Sequence, residues 1–213
     1  MFLQTVFAAS LGMALCKDNI SFRTLAYRLW VLSKRHQEGI LTILNIQGKA
    51  MAPGVHDILR EEQLRDEGKL VSIKFLGDIR YQEAAPTIVR MLHVETSPEV
   101  LASCLNALRY IGNESVLNDV VPFLGHEDFN LRIEALHAVA QTESSPSLRH
   151  IEKCLSDENW WVRREAALAM AGMGRCGIAR LKAIAEEEND APRFAARGIL
   201  SEIKFNRVAI EDF

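Results

Sequence analysis

A period of about 31 residues constrains this chain more than any other feature. Val100-Leu-Ala-Ser-Cys-Leu-Asn-Ala-Leu-Arg-Tyr-Ile-Gly112, Leu131-Arg-Ile-Glu-Ala-Leu-His-Ala-Val-Ala-Gln-Thr-Glu143 and Val162-Arg-Arg-Glu-Ala-Ala-Leu-Ala-Met-Ala-Gly-Met-Gly174 begin 31 residues apart. A fourth copy, Pro192-Arg-Phe-Ala-Ala-Arg-Gly-Ile-Leu-Ser-Glu-Ile203, follows at an offset of 30. A degenerate copy precedes them, with Leu76 and Ile79 lying 32 residues before Leu108 and Ile111. A repeat of this length is one supersecondary unit that buries its apolar face only by stacking on its neighbours.

Within each unit the apolar spacing is helical. Val162, Ala166, Met170 and Met173 share one face, the signature of an amphipathic helix. Ala166, Ala167 and Ala169 allow neighbouring helices to approach closely. Gly112 and Gly174 stand just past their helices, where a left-handed residue ends a helix. Second apolar helices are predicted at 84–92, 116–124, 148–155 and 178–184, with polar turns at 125–128 and 156–159. Aromatics make up 7% of the chain, too few for a sandwich of strands that favour aromatic and β-branched residues. The expected fold is all-α, an α-solenoid (α-α superhelix) of about five short helical hairpins over residues 66–204, preceded by N-terminal helices and followed by a tail at 205–213.

The run Asp157-Glu-Asn-Trp-Trp-Val-Arg-Arg-Glu-Ala-Ala-Leu-Ala-Met-Ala-Gly-Met-Gly174 resembles the short HEAT-like repeat of phycobilin-lyase-type and related bacterial HEAT proteins. Its acidic turn, Val-Arg, Ala-Ala and glycine-containing apolar end carry the resemblance. Leu131-Arg132 after Asp128 and Pro192-Arg193 after Asp190 keep part of it. The resemblance implies an inter-repeat ladder in which Arg132, Arg163 and Arg193 meet Asp128, Asp157 and Asp190 of neighbouring units. It also brings an enzymatic alternative, a lyase or chaperone for a tetrapyrrole-bearing protein.

Residues 1–48 read differently. Positions 2–16 are uncharged, and residues 17–49 hold six basic groups against two acidic ones. An apolar stretch beside a basic helix at 20–35 suits either an interfacial helix on a membrane or an atypical cap on the first repeat. The uncharged run is shorter than a full span, which needs about 20 apolar residues. In the membrane reading, contact is through residues 1–35 and the positive-inside bias would place the solenoid in the cytoplasm. Pro53-Gly54 marks residues 47–57 as a linker, and a linker and leading helix are expected at 49–65.

No assembled chemistry is visible. His126-Glu127 is a lone His-Glu pair, whereas a metal needs three or four converging ligands, so no metal or cofactor is expected. The four cysteines form no CxxC pair, and Cys104 and Cys154 occupy apolar helix positions, as small core hydrophobes do. The chain carries a net charge of −3, and its body is acidic, which disfavours nucleic acid. Binding to a protein partner is the function expected, with a nucleic-acid-binding solenoid as a further alternative. Trp160, Trp161 and Arg164 form a candidate hot spot, since Trp and Arg are enriched at such sites. One of the two indoles is expected to pack between repeats. A groove lined by second helices would add Arg90, Asn118, Arg149, Lys153, Arg180 and Lys182.

Overall fold

The computed structural model describes Ala26 and residues 34–61, 63–112, 114–142, 145–187 and 190–211. Among these residues all regular structure is helical, in two compact units, Met1–Gly112 and Asn113–Phe213. The predicted anchor or cap at residues 1–33 lies, Ala26 apart, outside the described residues.

The first unit holds α1 (Lys34–Gln47), α2 (Ala52–Leu59), α3 (Asp66–Asp78), α4 (Ala85–Val94) and α5 (Pro98–Ile111). Its core is built by Phe75 and Leu76 of α3, Ile88 of α4, and Cys104 and Leu105 of α5. The helices α3 and α5 lie close because position 77 is glycine: a Cβ there would stand 3.1 Å from the Cα of Ala107.

The expected linker at 47–57 is instead helical. Met51, Ala52 and Val55 are fully buried, and Pro53 stands in the first turn of α2. Proline is at home there because the first-turn N–H groups have no helical partner. The left-handed residue comes earlier, at Gly48, whose φ is +64°, at the start of a 3₁₀ turn between α1 and α2.

Next to Val55, His56 is buried and its Nε2 lies 2.8 Å from Thr87 Oγ1 of α4. Burial, with Arg60 adding to it, pushes its pKa below the ordinary 6.5. The folded chain therefore binds fewer protons here than the unfolded chain does just below that value. The resulting stability is present above 6.5 and is lost as the pH falls toward the lowered folded pKa. Melting temperatures taken between about pH 7 and about pH 5 are expected to fall more steeply for the wild type than for His56→Gln. The glutamine keeps an amide for Thr87 at a cost of about 1 kcal/mol at neutral pH. Parallel pH profiles would contradict the assignment.

The second unit holds α6 (Leu117–Val120), α7 (Phe129–Ala140), α8 (Ser145–Cys154), α9 (Trp160–Gly172), α10 (Gly174–Ala185) and α11 (Asp190–Glu211). The first helices α7, α9 and α11 pack side by side. The second helices α8 and α10 each rest on the two first helices that flank them in sequence. Leu131, Leu136, Val162, Ala166, Met170, Leu181 and Ile199 fill the space between the layers. Asp128 and Asn159 cap α7 and α9, accepting from the backbone N–H two residues on at 2.8 and 2.9 Å.

Three local expectations need correction. The helix expected at 116–124 is broken into the short α6 flanked by 3₁₀ turns at Glu114–Val116 and Val121–Gly125. Pro122 explains the break, since it has no N–H to donate to the preceding turn. Gly112 is extended, with φ −74° and ψ 164°, so it is no left-handed cap, whereas Gly174 has φ +72°. The expected tail at 205–213 is helical as far as Glu211, because the sequence after Lys204 contains no glycine or proline to stop α11.

Candidate functional site

Each of the turns that enter α7 and α9 is held by an arginine. Arg132 Nη1 donates to the carbonyls of His126 and Glu127 at 2.8 and 3.0 Å. Arg163 Nη1 repeats this one unit later, on the carbonyls of Asp157 and Glu158 at 2.7 and 2.9 Å. Arg132 also crosses to the next repeat, where Nη2 donates to Asp157 Oδ1 at 2.9 Å and Nε lies 2.9 Å from Oδ2. Its side chain is only 7% exposed.

The ladder implied by the resemblance thus has a rung at Arg132–Asp157. Among the described residues, the hydrogen bonds of Arg163 stay within its own turn. One repeat beyond Asp157 stands Glu188, outside the described residues. Arg193 pairs with Asp190 on its own helix and lies 5.2 Å from the centre of the Phe194 ring. Asp128 serves its own helix as N-cap.

Trp160 and Trp161 are both outside the core, 50% and 48% exposed, with ring centres 3.9 Å apart. The expectation of one packed indole is corrected. Val162, Ala166, Ala167 and Met170 supply the buried face of α9; Trp161 falls 100° before Val162, off that face, and Trp160, seven residues before Ala167, stands at its edge in the first turn, at about 100° per residue.

Trp160 instead walls a groove of about 540 Å³ between α9 and α11. Phe194, 63% exposed, also lines it, over Ala191, Ala195, Gly198 and Ile199. Arg164 joins Glu202 at 3.2 Å at its rim, beside Arg163 and Asp190. Gly198 lies inside α11, and a Cβ built there would meet nothing within 4 Å. Phe194 and Gly198 escaped the sequence reading as site residues. The available signal was that Phe194 falls outside the Pro192, Ala196, Ile199 stripe that the fold buries.

The remaining candidates lie on second helices. Arg90 is exposed on α4 of the first unit, and Asn118 is exposed on α6 of the second. Arg149 and Lys153 are exposed on α8, and Lys182 on α10. Arg180 is engaged: its Nε donates to Glu152 Oε2 at 2.9 Å, and Nη1 lies 3.3 Å from Glu187. That hydrogen bond holds the Glu152 carboxyl below its usual range.

Burial pushes the thiols of Cys104 and Cys154 up to about 12 and about 11, which keeps them protonated as core groups. Among the described residues no three His, Cys, Asp or Glu side chains gather to hold a metal, and no helix is long and apolar enough to cross a membrane.

Comparison with known proteins follows the same lines. Phycocyanobilin lyase subunit alpha from Picosynechococcus sp. is 24% identical over 163 residues, covering 71% of this chain. The match spans 60% of that relative's length. The crystal structure of an engineered protein superposes with a TM-score of 0.51 at 17% identity, covering 94% of this chain and 96% of that one, a likeness of fold alone. The HEAT repeats family matches residues 86–171 and again 117–201. First helices that start at Asp66, Pro98, Phe129, Trp160 and Asp190 keep the period read from the sequence. With more than half of its length matched, the chain belongs to the HEAT-repeat family.

Proposed function

We propose that this chain is a non-catalytic protein-binding module that seats an apolar side chain of its partner in the groove between α9 and α11. The observation that carries the reading is the exposure of Trp160 and Phe194 around one groove, with exposed Trp161 stacked on Trp160. Large aromatic rings cost stability when left in water, and a few such residues supply most of the affinity at protein interfaces. Arg164 is tied to Glu165 and Glu202, so it orders the rim beside the rings. HEAT repeats generally serve protein interaction, which fits a surface of this kind.

Two variants test the reading from opposite sides. Trp160→Ala removes one wall and is expected to weaken partner capture from an extract of the source cells at least about tenfold. Gly198→Leu places a side chain in open space and is expected to weaken capture as much. The same change stabilises α11 by up to about 1 kcal/mol, because glycine is a poor helix residue. Loss of binding with a gain of stability separates an occluded site from a damaged fold. Unchanged capture by both variants would remove the groove from the account.

A second reading rests on the similarity to phycocyanobilin lyase subunit alpha. A bilin is an open-chain tetrapyrrole with two propionate groups, and its conjugated rings could stack on the indole that walls the groove. Its test is the visible absorption of phycocyanobilin mixed with the chain: a protein-binding module leaves the spectrum unchanged, and a lyase or chaperone shifts it. For the N-terminal segment, attachment to the cytoplasmic face of a membrane remains our proposal. Recovery of the full chain in the soluble fraction after a carbonate wash would end it.

A further inference from the structure

Most acidic residues of the second unit lie outside its long helices, and α8 and α10 are strongly basic. The second helices α8 and α10 carry five basic residues and one acidic residue, whereas the rest of residues 113–213 carries seven basic and sixteen acidic. The acidic residue on the two helices, Glu152, is taken by Arg180, which reaches across from α10 and pins the helices side by side. The exposed charged positions that remain on them are Arg149, Lys153, Arg175 and Lys182, all positive. The opposite faces of the same helices carry the buried Ile151, Cys154, Leu181 and Ile184, and the four cations are exposed to solvent.

The spacing of these cations selects the partner. Arg149 and Lys153 are about 6 Å apart along α8, and Arg175 and Lys182 are about 10 Å apart along α10, at about 1.5 Å per residue. Carboxylates on alternate residues of an extended strand recur every ~6.7 Å on one side, which matches the α8 pair. The basic track is also short. Asp157 and Glu158 follow α8, and Glu186 and Glu187 follow α10, so acidic side chains close one end of each helix. A nucleic-acid backbone, which needs a long row of cations, would run into those carboxylates. A short acidic segment would not.

We propose that the solvent face of α8 and α10 docks a short acidic segment of a partner protein, its carboxylates paired with Arg149, Lys153, Arg175 and Lys182. The surface is separate from the aromatic groove between α9 and α11, and neither claim depends on the other. Arg180 holds the two helices together and does not meet the ligand.

The test is fluorescence anisotropy of labelled peptides titrated with the full chain. One peptide carries glutamate at alternate positions, a second carries glutamine at the same positions, and the third probe is a single-stranded oligonucleotide of equal length. The glutamate peptide is expected to bind, with an affinity that falls as salt rises. Arg149→Glu with Lys182→Glu is expected to weaken it at least about tenfold, while a urea melt reports that the variant is folded. Trp160→Ala is expected to leave this binding unchanged, which separates it from the groove. Equal binding of the two peptides, no binding of either, indifference to the double reversal, or tighter binding of the oligonucleotide would each overturn the proposal.

Discussion

Arg132→Ala is expected to lower the unfolding free energy by about 3 to 5 kcal/mol, the usual cost of removing one partner from a buried ion pair. The size follows from what the guanidinium leaves behind. Asp157 loses the group lying 2.9 Å from both of its oxygens, and the carbonyls of His126 and Glu127 lose a donor. Asp157 is itself only 11% exposed, so water restores little of the loss. An exposed ion pair would cost about 0 to 1 kcal/mol, and a loss that small in urea denaturation would contradict the clasp. Removing both partners is expected to be less damaging than the sum of the single changes, because the uncompensated carboxylate is then gone. Asp157 also accepts from the Asn159 N–H at 2.8 Å, so Asp157→Ala carries a cost of its own.

Gly177→Ala is the second large effect, and it comes from one methyl group. A Cβ at position 177 would stand 1.7 Å from the carbonyl oxygen of Met170 and 2.7 Å from its carbon. The obstacle is backbone, which cannot rotate aside as a side chain can. The hairpin of α9 and α10 must open, at an expected cost of about 3 kcal/mol, the upper part of the range for overpacked cores. Glycine to alanine inside a helix ordinarily stabilises by up to about 1 kcal/mol, so the sign of the change is diagnostic. A Gly177→Ala variant as stable as the wild type would mean that the two helices do not approach this closely.

The period was legible because it rests on apolar spacing, which stacking enforces in every unit. Val162, Ala166 and Met170 lie on the buried face where their spacing put them. Cys104 and Cys154 are core residues for the same reason. Local signals with two physical meanings misled. Pro53 starts a helix as readily as it ends one, and Pro122 breaks a helix whose apolar pattern continues across it. Gly112 needed no positive φ, whereas Gly48 did. The site was only partly legible. The hot spot at Trp160 and Trp161 was read from residue type alone, and residue type does not say which way an indole faces. Phe194 and Gly198 matter through the space between α9 and α11, which no linear pattern displays. On the second helices, periodicity singled out Arg180 with Arg149, Lys153 and Lys182, yet Arg180 is bound by Glu152 and Glu187. Such pairing depends on the register of neighbouring helices.

Photo-crosslinking tests the central claim, that the groove between α9 and α11 is a protein-binding surface, most directly. The full chain carries a benzophenone-bearing phenylalanine at position 194, or at exposed Lys74 as a reference, and is irradiated in the source cells. The expected result is a discrete protein adduct from position 194 that is lost when Gly198→Leu is added, with none of that adduct from position 74. No discrete adduct from position 194, or the same adduct from both positions, would contradict the account.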